Sequence, residues 1–495
     1  MTRASWKSET LLRVRPARAH VAAFAVLFAG LLVSGCTTLM TAEGDPSLVA
    51  GGGAQIDSRF GAEEHPRIVA AYGGVYHDTK LEQTLARVVG RVVAASDKPD
   101  QSYRITILNA PAVNAFALPG GYLYVTRGLL ALANDSSEVA AVLAHEMAHV
   151  TADHAIARQN KARTAMIVSR VVTDVLNDDD AGRLALASSQ RSLASFSRQQ
   201  ELEADAIGVK TIGRAGYDPF AAARFLTAMG RFAAYRSAVA LDEKRPEFLA
   251  SHPSTPERID FAIRAARQFG APGVGEVDRD RYLEGIEGVV FGDDPSQGFV
   301  RERTFLHPSL GVGFAVPEGF VIDNASDAVL ATGADGTALR FDAVRLPEGA
   351  DLGGYLASGW VNGFEEGSVK RFTVQGLPAA SAIARAKGWA FRIAVIQVNS
   401  GAAYRFIFAN EVDSPQFAKA AEETVASFRR LDPSEAAKLS SLKVRLVTVK
   451  PGDNQRSLAR RMRGVDRPLA LFRALNDLDA SDALPPGTKV KIVAE

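Results

Sequence analysis

One cysteine, Cys36, stands in the 495 residues, so no disulfide within a chain can hold this fold together. Long apolar runs are also missing. The stretch from Val21 to Val33 stops short of the roughly 20 residues a membrane span needs. No fixed-period repeat recurs, which excludes a solenoid. Excess charge of one sign is absent too: the net charge is +1, so no overall field draws the chain to nucleic acid. What remains is an ordinary globular composition, 47% hydrophobic and 23% charged, which excludes a disordered or polytopic membrane chain. The length suits about three domains.

The N-terminus reads as a targeting segment. Arg3, Lys7, Arg13, Arg15 and Arg18 precede the apolar stretch, which ends in Val33-Ser34-Gly35-Cys36. That ending resembles a bacterial lipobox, which implies removal of residues 1–35 and a lipid on the Cys36 sulfur. Thr37, rather than Asp, follows the cysteine, and under the usual lipoprotein sorting pattern this favours the outer membrane. A periplasmic, lipid-anchored protein is therefore expected, with residues 36–58 as a flexible leader containing Gly51-Gly52-Gly53.

The strongest chemical signal is His145-Glu146-Met147-Ala148-His149 inside the otherwise apolar run Val139 to Val150. Two imidazoles and a carboxylate on an apolar helix are costly to bury unless something satisfies them. A metal does so. Histidines at i and i+4 share a helical face and can reach one Zn²⁺, and the glutamate between them can act as general base on a water polarised by the metal. Asp135-Ser136-Ser137-Glu138 supplies the helix start. His154 lies nine residues beyond His145, about 180° round the helix at 100° per residue, so it faces away and reads as a structural or surface histidine.

A catalytic zinc takes three protein ligands and one open position. The third candidate is Glu201, in Ser197-Arg198-Gln199-Gln200-Glu201-Leu202-Glu203-Ala204-Asp205. Glu201 and Asp205 share a helical face, and Ala204 and Gly208 allow this helix to approach the first one closely. Asp205 would then orient a ligating histidine from behind.

Taken with Asn114-Ala115-Phe116-Ala117-Leu118-Pro119-Gly120-Gly121 and with Ser251-His252-Pro253-Ser254-Thr255-Pro256-Glu257-Arg258, these motifs resemble the gluzincin zinc metallopeptidases of the HtpX, BepA and CAAX prenyl endopeptidase family. The resemblance covers about residues 60–265, in the soluble periplasmic branch typified by BepA, although no tetratricopeptide repeats follow. It implies one Zn²⁺ per chain on His145, His149 and Glu201, with Glu146 as the base. It further implies that Asn114, Ala115 and Phe116 form a substrate-binding edge strand. His252 has two roles consistent with the family, stabilising the oxyanion or closing the zinc's open position to hold the enzyme latent. Arg258 is a candidate partner for Asp205.

The expected fold class is α+β. A mainly helical peptidase domain with a small edge-stranded sheet spans 59–295, and an α/β module of PsbP-like character spans 300–431. Within that module Phe417 to Leu431 reads as a closing helix, and Asp432-Pro433-Ser434-Glu435 as a linker. Within 440–495, Val447-Thr448-Val449-Lys450-Pro451-Gly452-Asp453, Ser457-Leu458-Ala459, Leu471-Phe472-Arg473-Ala474-Leu475-Asn476 and Leu484-Pro485-Pro486-Gly487-Thr488-Lys489-Val490-Lys491-Ile492 resemble a βααβ LysM module, which implies recognition of glycans such as peptidoglycan. Lys443 to Arg473 is strongly basic. The expected activity is hydrolysis of misfolded or unassembled envelope proteins. A non-catalytic envelope adaptor and a peptidoglycan peptide hydrolase are the alternatives that the LysM resemblance raises.

Overall fold

The computed structural model describes residues 53–154, 157, 197–237 and 252–495, except 326, 327, 348, 350, 387 and 466. The lipobox-like segment, Cys36 and the polar break at Asn177-Asp178-Asp179-Asp180 lie outside the described residues. The leader differs from expectation at its end, because Gly53–Ala71 is already helical (α1). Ile68 on α1 packs against Leu108 and Tyr124, so tertiary burial overrides the flexible composition.

Helix α2 (Thr79–Ala95) starts where the Asp78 side chain accepts from the Lys80 and Leu81 amides. It buries Leu81, Leu85, Val88 and Val92 along one stripe. A three-stranded sheet follows, with β1 (Arg104–Leu108), β2 (Ala115–Leu118) and β3 (Tyr122–Thr126) in the order β1-β3-β2. β1 runs parallel and β2 antiparallel to β3, which leaves β2 on the edge. Gly121 sits at φ 80° in the β2–β3 turn, where an added Cβ would stand 2.1 Å from the Ser102 carbonyl oxygen.

Helices α3 (Arg127–Leu132) and α4 (Ser136–Thr151) come next, then α5 (Arg198–Arg214), α6 (Ala221–Ser237), α7 (Pro256–Ala266) and α8 (Arg279–Ile286). α4 carries the HExxH residues and is buried over nearly its whole length. α5 lies against it, with Gly208 at the crossing: a Cβ there would come 3.3 Å from the His145 amide nitrogen.

The 300–431 region is sheet-rich. A seven-stranded antiparallel sheet is ordered β11-β12-β13-β14-β10-β9-β8, built from β8 (Val321–Asn324), β9 (Val329–Thr332), β10 (Ala338–Arg345), β11 (Lys370–Val374), β12 (Leu377–Ala386), β13 (Trp389–Asn399) and β14 (Ala402–Asn410). Beside it lies a four-stranded sheet ordered β15-β7-β6-β5, made of β5 (Phe299–Arg301), β6 (Thr304–His307), β7 (Val312–Ala315) and β15 (Arg429–Arg430). Helix α9 (Leu352–Leu356) covers one face of the large sheet and α10 (Pro415–Ala426) the other. The helix expected to reach Leu431 ends at Ala426, because the Ser427 hydroxyl bonds to Ala315 and lets Arg429–Arg430 pair with β7 (Val312–Ala315). The expected linker is a short helix, α11 (Pro433–Ala436), since Asp432 caps it and Pro433 is at its first position.

The tail has the order β16 (Leu442–Thr448), α12 (Gln455–Ala459), α13 (Pro468–Asn476), β17 (Lys489–Ala494). It does not stand apart. β16 pairs with β17 and also with β4 (Val290–Phe291). Leu458, Leu471, Phe472, Val490 and Val493 share one hydrophobic core with Leu85, Leu130 and Val139 of the first domain. Lys491, fully buried, donates to the carbonyls of Ala131, Leu132 and Ala133 at 2.9, 2.7 and 2.8 Å. These are the orphan carbonyls at the end of α3. Arg231 on α6 reaches Asp477 and Asp479 of the tail. Among the described residues, no helix is long and apolar enough to cross a membrane.

Candidate metal centre

The Asp135 carboxylate caps α4 by accepting from the Glu138 amide at 2.8 Å. Ten residues on, the same helix delivers His145 and His149 to one face. A capping box of Ser197 and Gln200 starts α5, which puts Glu201 in its first turn. Thr255 caps α7, and His252 lies just before that helix.

These elements bring four buried donors together. His149 Nε2 is 3.1 Å from His145 Nε2, which is 3.3 Å from His252 Nδ1. Glu201 Oε1 lies 2.9 Å from His252 Nδ1 and 3.5 Å from His149 Nε2, and Glu201 Oε2 lies 3.5 Å from His145 Nε2. All four residues are buried, and a ligand atom from each lies within 4.8 Å of the others. A tetrahedral zinc with bonds of about 2.0–2.1 Å sets its ligand atoms about 3.3 Å apart, so the donor set fits that ion in spacing as well as in chemistry.

The surroundings orient the donors. His145 Nδ1 meets Asp205 Oδ1 at 2.9 Å. Arg258 donates to both Asp205 oxygens, at 2.8 and 2.7 Å, and pairs with Glu201 Oε2 at 2.7 Å. Burial lowers the His145 imidazole's proton affinity, but bonds to Asp205 and Glu201 outweigh it and lift the pKa to about 9. Burial, then the neighbouring His145 and His252 charges, push His149 far down. Burial alone would raise Glu201, yet the charges of His252 and His145 hold it well below the usual carboxylate range. Glu146 is raised, chiefly by burial. Its Oε1 is buried without a hydrogen-bond partner, 3.6 Å from His252 Nε2.

Asn114 and Ala115 are buried and Phe116 is partly exposed on the edge strand, which runs beside α4. Asn114 Nδ2 donates to the Tyr72 hydroxyl at 3.0 Å, and Phe116 stacks on Tyr124.

His154 contradicts its expected placement. α4 stops at Thr151, and Asp153 at φ 55° reverses the chain. His154 is thereby buried with its Nδ1 3.0 Å from His149 Nδ1. The sequence did carry a hint, since the apolar run ends at Val150 and gives the helix no reason to continue. Glu203, which His154 Nε2 meets at 3.3 Å, was likewise unread.

Buried histidines and a carboxylate converging from two helices, with a glutamate beside the first histidine, define a zinc metallopeptidase domain. Residues 79–266 match the model described as Peptidase family M48. The chain is 30% identical over 216 residues to the beta-barrel assembly-enhancing protease of Escherichia coli K12, covering 42% of this chain and 43% of that one. It is 32% identical over 208 residues to the mitochondrial metalloendopeptidase OMA1 of Schizosaccharomyces pombe, covering 41% and 59%. The chain thus spans about half the length of these relatives. A cyanobacterial PsbP from Synechocystis overlays 28% of this chain and 98% of its own at 12% identity and TM-score 0.20, too slight to assign a fold to 300–431.

Proposed function

We propose that the chain is a zinc-dependent endopeptidase of the bacterial cell envelope that cleaves misfolded or unassembled envelope proteins. The observation that carries this reading is the convergence of His145, His149, Glu201 and His252 beside Glu146. In it, His145, His149 and Glu201 hold the metal. Zinc, when bound, supplies Lewis acidity toward the scissile carbonyl and toward a water. Glu146 takes the proton from the attacking water and returns it to the leaving amine; its raised proton affinity suits a base that must next act as an acid. Asp205, clamped by Arg258, fixes the His145 ring. The β2 edge, with Asn114, Ala115 and Phe116, takes an extended peptide as an added strand through main-chain bonds, which asks little of substrate sequence. The name of the E. coli relative supports an envelope setting.

His252 occupies the fourth vertex of the donor set, which favours the latent role. Its Nε2 faces Glu146, so release of the ring would open both the metal and the base. The same reading anchors the protein by lipid on Cys36, in the periplasm at the outer membrane, on the strength of the lipobox-like Val33-Ser34-Gly35-Cys36 and of Thr37. It gives the tail a role in binding peptidoglycan, supported by its strand-helix-helix-strand order. Retention on purified sacculi tests that role, and loss of retention refutes it.

The central experiment measures zinc content and casein cleavage by the purified chain beside Glu146→Gln and His252→Ala. We expect one zinc per chain and cleavage that Glu146→Gln abolishes while zinc is retained. An active Glu146→Gln overturns the mechanism. A faster His252→Ala supports the latch; a loss of about 100-fold or more assigns the oxyanion role instead.

A further inference from the structure

The two HExxH histidines are held from behind by unlike partners. His145 Nδ1 faces a carboxylate, Asp205 Oδ1, at 2.9 Å. His149 Nδ1 faces a second imidazole, His154 Nδ1, at 3.0 Å. The His154 ring is buried and stands edge-on to the His149 ring, with centroids 4.9 Å apart. Its other nitrogen, Nε2, meets Glu203 Oε2 at 3.3 Å, on the same helix that carries Glu201 and Asp205. Two contacts fix this placement: Asp153 turns the chain at φ 55°, and the Gln200 side-chain Nε2 donates to the His154 carbonyl at 3.5 Å.

Proton placement along this line is not free. His149 Nε2 points at the donor set, so a metal there needs that nitrogen's lone pair. The ring proton then sits on Nδ1, which must donate. His154 Nδ1 must accept, and its own proton sits on Nε2, directed at the Glu203 carboxylate. One run of hydrogen bonds thus selects one tautomer at each ring.

We propose that His154 is a positioning residue that fixes the tautomer and ring orientation of His149 toward zinc, with Glu203 as the outer end of the relay. The inference rests on the zinc reading above. It assigns a role to a residue outside the HExxH and ExxxD motifs.

The test measures zinc affinity of the full-length chain by competition with a chromophoric chelator, without reference to activity. His154→Leu is expected to weaken zinc binding about 10–100-fold. His154→Asn, whose amide oxygen can accept from His149 Nδ1–H, is expected to restore most of it. Glu203→Ala, at the half-exposed outer end, is expected to cost less than His154→Leu. A folded His154→Leu with wild-type affinity, or His154→Asn as weak as His154→Leu, overturns the proposal. Should His154→Leu fail to fold, nitrogen NMR of the zinc-loaded wild type decides: Nε2–H on His154 supports the relay, and Nδ1–H overturns it. A wild-type chain that binds no zinc refutes the metal site itself, a result distinct from all of these.

Discussion

Replacing Lys491 by Met tests whether the tail and the peptidase domain form one cooperative unit. The ammonium offers three protons and meets three carbonyls, those of Ala131, Leu132 and Ala133, at 2.7–2.9 Å. Burial, then Arg279, depress its proton affinity, while Glu138 and Asp477 favour the charge. Glu138 itself, on the first turn of the HExxH helix, is lifted to about 7 by burial and by Asp135. Methionine keeps the length and apolar stem but leaves three carbonyls at the end of α3 without a donor. Each hydrogen bond to a charged group contributes about 1.5–3 kcal/mol, and desolvation of the ammonium offsets several kcal/mol of that sum. A net loss of about 3–5 kcal/mol follows, since three buried carbonyls lose their donor at about 1–3 kcal/mol each. At about 2–4 °C per kcal/mol for a large domain, the melting temperature should fall by on the order of 10 °C. Differential scanning calorimetry on the full chain reads this directly. Because the core is continuous from Leu85 to Val493, the lowered transition should include the peptidase domain. An unchanged melt, or a separate low transition for the tail alone, would refute the reasoning.

Gly208 sits where α5 crosses α4, so Gly208→Ala should be nearly neutral, its Cβ at 3.3 Å from the His145 amide being offset by better helix propensity. Gly208→Val should cost about 1–3 kcal/mol by overpacking and weaken zinc binding by displacing Glu201, measured by urea midpoint and chelator competition; equal affinity in both variants would contradict it. Asp205 supplies a pH signature. Burial raises its pKa, but the Arg258 and His145 bonds outweigh that and hold it below 3.8. The stability it contributes is present above that unfolded value and is lost as pH falls through the lower folded value. The gap in urea midpoint between wild-type apoprotein and Asp205→Asn should therefore shrink from about pH 5 to about pH 3, whereas a constant gap would count against the clamp.

The contrast between motif and placement runs through the whole molecule. The HExxH helix, its Asp135 cap and the face shared by Glu201 and Asp205 were legible in the sequence because helical periodicity and capping are local. The small residues Ala204 and Gly208 even indicated which face of α5 would meet α4. His154 was misread because a periodicity argument assumes the helix goes on, and a single residue in the left-handed region ended that assumption. Arg429–Arg430 became a strand because β7 offered it a partner, which no local propensity encodes. The tail read as a separate module since its own pattern of two strands and two helices is complete. Nothing in the sequence around Lys491 points to the carbonyls of α3 that it meets.

By itself, then, the sequence determined the candidate chemistry: which residues can donate, on which helix face they lie, and where those helices begin. Only the tertiary structure decided which donors meet. It put His252 against His145 and Glu201, His154 behind His149, and a lysine from the last strand under the carbonyl end of α3. The physical reason is range. Caps and helical faces depend on residues within a turn of one another, whereas partners 51 to 360 positions apart are chosen by how whole elements pack, and His154, only five positions from His149, by the left-handed residue that ends the helix between them.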